Sequence, residues 1–413
     1  MSQTSIKLPH PLLLAGKATS ELPKNACLPT AVDVRLSPIL PYDVTVLIIE
    51  NIIFQSNSYE TLIQKTLAAC CLVSRAFYAP AHEALFRDLQ VIISHPQTWP
   101  DGERVRWESA KYRAAPDKES FLVTNSTKLE DTLVRSPRIA ILPRALELRI
   151  DQDNSGGVFF TAPRMSSRVF NSIIRTCPSV DDLRLRGFLH AELLAITPLI
   201  TICRPTLRKL SFESSLTGKE LGSFLEKLPC LEQLSISGTT PLVDHTHPLP
   251  FHLTHLTVKS ISPDAFAAIT SSSHHSLRAL TFDQLVETKF DLSPFHILVQ
   301  VRLSVHQKVS TTANQILEVI SSSPNILHLE IISPYLDVDA ILVPLGIVSL
   351  DLSGSNVASS TVMDFLKAVQ PKFKRLAVSK GLGWRRWQAE EVGIVETLAQ
   401  GRGVQLEVLD WKG

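Results

Sequence analysis

The sequence has no C-x-x-C pair, no glycine-rich phosphate loop, no G-x-S-x-G turn and no H-E-x-x-H, and each absence lowers the odds for one class of chemistry. Its cysteines, Cys27, Cys70, Cys71, Cys177, Cys203 and Cys230, are scattered apart from one adjacent pair in an apolar stretch. That spacing argues against zinc ribbons and against a secreted disulfide framework. An excess of one charge is also missing: 41 Lys and Arg stand against 40 Asp and Glu. A nucleic-acid groove would be basic and a membrane-surface anchor polybasic, so neither partner is expected. No apolar run approaches the roughly 20 residues that span a bilayer, and PLLLAG at 11–16 is too short for a secretory core segment. These absences lead us to expect a chain of a reducing compartment, cytoplasm or nucleus, with no enzymatic activity, cofactor or metal.

Residues 1–35 lack sustained periodicity and read as a tail. LPYDVTVLIIENII at 40–53 then starts like a helix, because Pro41 suits the first helical position, where its missing N–H would be unpaired anyway. The stretch is apolar on too many sides for a surface helix. Val44, Ile48 and Ile52 form one face and Val46, Ile49 and Ile53 another, so two bodies are expected to cover it, one of them a second protein, unless the helix runs through the middle of a large core. From Tyr59 to Val91 the pattern reads as two further helices, one through Leu62, Leu67, Cys70 and Val73 and one opening at Pro80. Residues 36–95 thus make a small all-helical unit, near the lower size limit for independent folding.

Residues 96–140 are a charged, proline-interrupted linker with a helical pattern leading into the next region. From 141 to 413 the chain repeats an apolar residue, another three positions on and a third two after that. The motif begins at Val180, Leu207, Leu231, Leu253, Leu277, Leu298, Ile326, Ile347, Phe373 and Leu406. Successive starts lie roughly 21 to 33 residues apart, all but the last step inside the range of leucine-rich repeats. The last two apolar residues point the same way from a short strand, and the first closes the turn into it. Helix-forming stretches at 166–177, 217–228, 312–323, 360–369 and 390–400 return the chain. The expected fold is an α/β solenoid, a leucine-rich-repeat horseshoe in which neighbouring coils bury one another's apolar faces, preceded by the small all-α unit.

The residues between the apolar strand positions then face one concave surface. Arg184, Arg186, Lys209, Glu213, Gln233, His255, Lys259, Arg302, His328, Glu330, Asp351 and Arg375 are the candidate target-binding residues, polar and mixed in sign. Such a surface reads a protein partner by patterned complementarity. Trp384, Arg385 and Trp387 join this set because Trp and Arg dominate recognition hot spots, although a loop sealing the last repeats explains them equally well. Asp244, His245, His247, His252 and His255 are the nearest approach to a metal cluster, but spacing alone fixes no tetrahedral site and an exposed loop accounts for them.

The helical unit resembles the F-box. Leu40, Pro41 and Asp43 match its opening, Ile48, Ile49 and Ile52 its apolar continuation, and Leu67, Cys70, Leu72, Val73, Ser74, Arg75 and Phe77 its second block. Phe77 stands where the family commonly has Trp, and FQSNSYE is extra between the first two helices. The resemblance implies a substrate-recognition subunit of a cullin-RING ubiquitin ligase of the SCF type. Leu40, Pro41, Asp43, Val44, Ile48, Ile49, Ile52, Leu67, Leu72, Val73 and Phe77 would hold a Skp-type adaptor, and through it a cullin scaffold, while the repeats would select a target protein. Two alternatives stand beside it: a repeat scaffold whose helices merely cap the first coil, and an enzyme using the histidine-rich loop.

Overall fold

The computed structural model describes residues 42–55, 60–73, 75–94, 125–151, 163–188, 190–203, 206–213, 216–240, 248–283, 290–304, 320, 323, 325–338, 341, 343–344, 346–380 and 386–409. Helices α1 (Tyr42–Gln55), α2 (Glu60–Val73) and α3 (Arg75–Arg87) pack together at the N-terminal end. Their small core is Ile49, Leu67 and Ala81, with Cys70, Cys71, Phe77, Ala84 and Leu85 against it. α3 opens at Arg75, five residues before the proline that the sequence places at its start. Pro80 forgoes one main-chain bond inside the helix and is buried there, next to the core residue Ala81.

α3 runs without a break into β1 (Asp88–Ser94). The chain continues through α4 (Asn125–Arg135), α5 (Pro137–Ala140), β2 (Ala145–Asp151), α6 (Pro163–Thr176), β3 (Asp182–Arg186), α7 (His190–Cys203), β4 (Lys209–Glu213), α8 (Gly218–Leu225), β5 (Gln233–Thr240) and β6 (His255–Ile261). It then forms α9 (Pro263–Thr270), β7 (Ala279–Phe282), β8 (Gln300–Ser304), β9 (His328–Val338), β10 (Ser349–Val357), α10 (Ser359–Ala368), β11 (Arg375–Ser379), α11 (Ala389–Gly401) and β12 (Gln405–Leu409). Among the described residues, twelve strands form one parallel sheet in sequence order. This is an α/β solenoid.

Register explains the motif. Leu89, Leu146, Leu183, Leu210, Leu234, Leu256, Leu280, Val301, Leu329, Leu350 and Leu376 lie in one row across the sheet. All of them are buried, as is the row two residues on, from Val91 to Val378. Stacking also satisfies the backbone. The carbonyl of Arg144 accepts the N–H groups of Asp181 and Asp182 at 2.9 and 3.1 Å, and the carbonyl of Asp181 accepts those of Arg208 and Lys209 at 3.0 and 2.9 Å. The same paired acceptance recurs coil after coil to Val348, so no turn into a strand leaves its donors without partners.

Three sequence expectations shift. The division at residue 95 moves back to the α3–β1 junction, because FRDLQV at 86–91 is itself a copy of the motif: Leu89 pairs with Leu146 and Val91 with Leu148. PRALEL at 143–148 is the next copy. At the far end Leu376 pairs with Leu406, so Leu406 takes the middle position of the last motif and not its first. The apolar Leu409 and Trp411 make the wrong register look equally good in sequence. α7 and α9 were not expected as helices, since Pro198 interrupts the first and the second is short. The helix expected at 312–323 lies outside the described residues save for positions 320 and 323.

Return segments are fixed by local chemistry. α8 carries a capping box in which the Thr217 backbone N–H donates to Glu220 Oε2 at 2.8 Å and Thr217 Oγ1 accepts from the Glu220 backbone N–H at 3.5 Å. Gly187 ends β3 at φ +71°, and a Cβ there would lie 2.1 Å from the Ile150 carbonyl oxygen. Only glycine fits that approach.

Candidate protein-interaction surfaces

Helix α1 has two unlike faces. Thr45 and Ile49 point into the unit, Ile49 being 3% exposed, whereas Val44, Leu47 and Ile48 are 39%, 62% and 37% exposed. These three are spaced i, i+3, i+4 and form one apolar stripe with no partner among the described residues. Leu72 at the end of α2 is 88% exposed, and Tyr78 on α3 is also exposed. Of the residues assigned to adaptor contact, Asp43, Val44, Ile48 and Leu72 lie at the surface. Ile49 and Leu67 are internal and hold the helices together, and Phe77 packs half-buried against them. Ile52 and Val73 belong to α1 and α2, and Leu40 and Pro41 lie outside the described residues. Leu47 is the residue the two-face reading missed, and its i+3 spacing from Val44 was the available signal.

The second surface is the open face of the sheet, opposite the helices. Arg184, Arg186, Lys209, Glu213, His255, Arg302, His328 and Arg375 are exposed there, while Gln233, Lys259, Glu330 and Asp351 are half-buried. Several of them are held in ion pairs, along their own strand or across to the next. Arg184 holds Asp182 through two bonds of 3.3 and 2.8 Å, Arg186 Nε lies 3.3 Å from Glu147, Arg302 Nε 3.4 Å from Glu330, and Arg375 forks onto Glu407 at 3.1 and 2.9 Å. The bond from Arg375 holds the Glu407 carboxyl below its ordinary range. Burial pushes the Glu330 carboxyl up, opposed by Arg302 and reinforced by Asp351. Burial holds His255 down, with Lys209 and Arg278 adding to the effect. Over β8 to β11 the face sinks into a hollow of about 340 Å³ lined by Gln300, Val301, His328, Leu329, Glu330, Ser349, Asp351 and Arg375. Gln300 and Ser349 were not among the expected residues; their place two positions after each motif start was the legible signal.

Trp387 is a correction. It is 5% exposed and its indole N–H donates to the Val357 carbonyl at 2.8 Å, so it seals the end of the stack and offers nothing to a partner. Trp384 and Arg385 lie outside the described residues, as do Asp244, His245 and His247. His252 Nδ1 sits 2.6 Å from the Ser272 carbonyl and His255 Nδ1 2.9 Å from Thr254 Oγ1. No three His, Cys, Asp or Glu side chains converge as a metal site among the described residues.

No protein-family model matches this chain. No curated protein matches it in sequence. Among solved structures, the crystal structure of the Rad7 and Elc1 complex in yeast is similar at a TM-score of 0.38 and 11% identity, over 88% of this chain and 92% of that one. Human 5T4, the trophoblast glycoprotein, is similar at a TM-score of 0.24 and 19% identity, over 49% of this chain and 69% of that one. With scores this low, what the chain does is read from its own residues.

Proposed function

We propose that this protein is a non-catalytic, target-recognition subunit of an SCF-type ubiquitin ligase, working in the cytoplasm or nucleus. The helical unit would hold a Skp-type adaptor, and through it a cullin scaffold, while the open strand face holds the target. The observation that carries the adaptor side is the bare stripe Val44, Leu47 and Ile48 on a helix whose opposite face is already buried. Covering what remains exposed of these side chains would contribute a part of the roughly 1.5 to 3 kcal/mol that full burial of each is worth, and the three together would anchor an interface. No chemistry is asked of the chain itself. It would raise the concentration of the target beside a ubiquitin-charged enzyme.

A second reading has its own support: Phe86, in the last turn of α3, packs against the solenoid core, which is how a unit that only caps the first coil would be attached. One experiment separates the two. The full chain is co-purified with a purified Skp-type adaptor beside the double variant Leu47→Asp, Ile48→Asp, with folding followed by circular dichroism. One-to-one binding that the folded variant loses supports the adaptor role. A folded intact chain that captures no adaptor leaves the capped scaffold.

A further inference from the structure

The hollow over β8 to β11 has an unbalanced charge. Asp351 on β10 is in register with Glu330 on β9, one strand spacing of about 4.8 Å away, and with Ala377 on β11, which brings no charge. Arg375 on β11, in register with Ser349, gives its two-bonded fork to Glu407. Arg302 Nε lies 3.4 Å from Glu330. The polar contact made to the Asp351 carboxylate is the Ser353 backbone N–H, at 2.9 Å to Oδ1. Two half-buried carboxylates therefore stand side by side, Arg302 lying against Glu330 while Arg375 attracts Asp351 only from the next strand, its fork being on Glu407. The short side chain of Ser349, between His328 and Arg375 in the adjoining row, leaves the space above them open.

We propose that this hollow is the subsite that receives a basic side chain, arginine or lysine, of the target protein. The proposal rests on the open face being the target-binding surface, and it names what that surface selects. At about 340 Å³ the hollow is near the lower end of ligand clefts, roughly 300 to 1,000 Å³, enough for one long side chain and its flanking backbone. A guanidinium fork or an ammonium satisfies Asp351 and relieves its repulsion with Glu330. An acidic side chain placed there adds a third negative charge. The upward push on the Glu330 carboxyl, from burial and from Asp351, is the cost such a cation removes.

The test uses the full chain and fluorescein-labelled heptapeptide pools, randomised except for a central Arg, Lys, Glu or Ala, titrated by fluorescence polarisation. The Arg and Lys pools bind at least about tenfold more tightly than the Glu and Ala pools, a difference of about 1.4 kcal/mol. Asp351→Asn, which keeps the bond from the Ser353 N–H, abolishes most of that preference with an unchanged circular dichroism spectrum. Glu147→Gln, on the same face but already held by Arg186, leaves it intact. Equal binding of the four pools, no binding by any pool at about 1 mM, or a preference that survives Asp351→Asn overturns the proposal. Adaptor capture is measured on the same preparations, so its failure is read separately from a failure of this subsite.

Discussion

At the scale of single residues the structure makes some side chains indispensable and others expendable. Trp387 fills the end of the core and satisfies the Val357 carbonyl. Trp387→Ala is expected to cost about 3 to 5 kcal/mol, and Trp387→Phe, which keeps most of the volume but orphans that carbonyl, about 1 to 3 kcal/mol. Urea denaturation of the two variants checks the order. Gly187→Ala cannot be accommodated without moving the Ile150 backbone and is expected to lower the melting temperature more than a surface glycine change such as Gly393→Ala, which meets no atom within 4 Å. His255 gives a pH signature. Burial, Lys209 and Arg278 hold its native pKa below the ordinary 6.5, so between that value and 6.5 the unfolded chain binds more protons than the folded one. Stability is full above about 6.5 and declines as pH falls through the depressed native value. His255→Gln should flatten that decline in denaturation curves taken from pH 7 down to 5.

At the scale of elements, apolar pattern carried the helices and strands, while register and termini needed neighbours. α6, α8, α10 and α11 lie where amphipathic spacing put them, because each buries one stripe: Phe170, Ile173 and Ile174 in the case of α6. Thr217→Ala breaks the capping box of α8 and is expected to cost about 1 kcal/mol, to be read as a shift in urea midpoint without a change in slope. Pro80 and Leu406 show where pattern misleads. Pattern reads a proline as a helix start, whereas Pro80 lies inside α3 at a buried position. A row of apolar residues at 404–411 admits two registers until pairing with Leu376 selects one.

The whole molecule behaves as a stack. Each coil passes main-chain donors to the carbonyl of the one before it and buries its apolar row between neighbours. Disturbing one coil should therefore weaken those beside it more than those far away. Leu280→Ala in β7 is expected to raise amide exchange in β6 and β8 and to leave β2 and β3 nearly unchanged; a uniform rise along the whole sheet would contradict this. The helical unit is joined to the stack by an unbroken α3–β1 passage.

The solenoid is legible in the order of residues alone, because a strand motif repeated at short steps leaves each coil with an apolar row that only a stacked neighbour can cover. That order also gives α1 more apolar faces than its own unit can bury, and this is what points to a protein partner. Only the tertiary structure decided which of those faces stays bare. Val44 and Ile48 differ from Ile49 in position around the helix and hardly at all in chemistry. Likewise the list of polar strand residues was legible, yet their strength as contacts was not. Arg184 and Arg375 are committed to carboxylates on their own or adjoining strands, and Trp387 is lost to the core, while Asp351 is left facing open space beside Glu330. Which charges cancel depends on distances across strands, and those are set by register, not by composition.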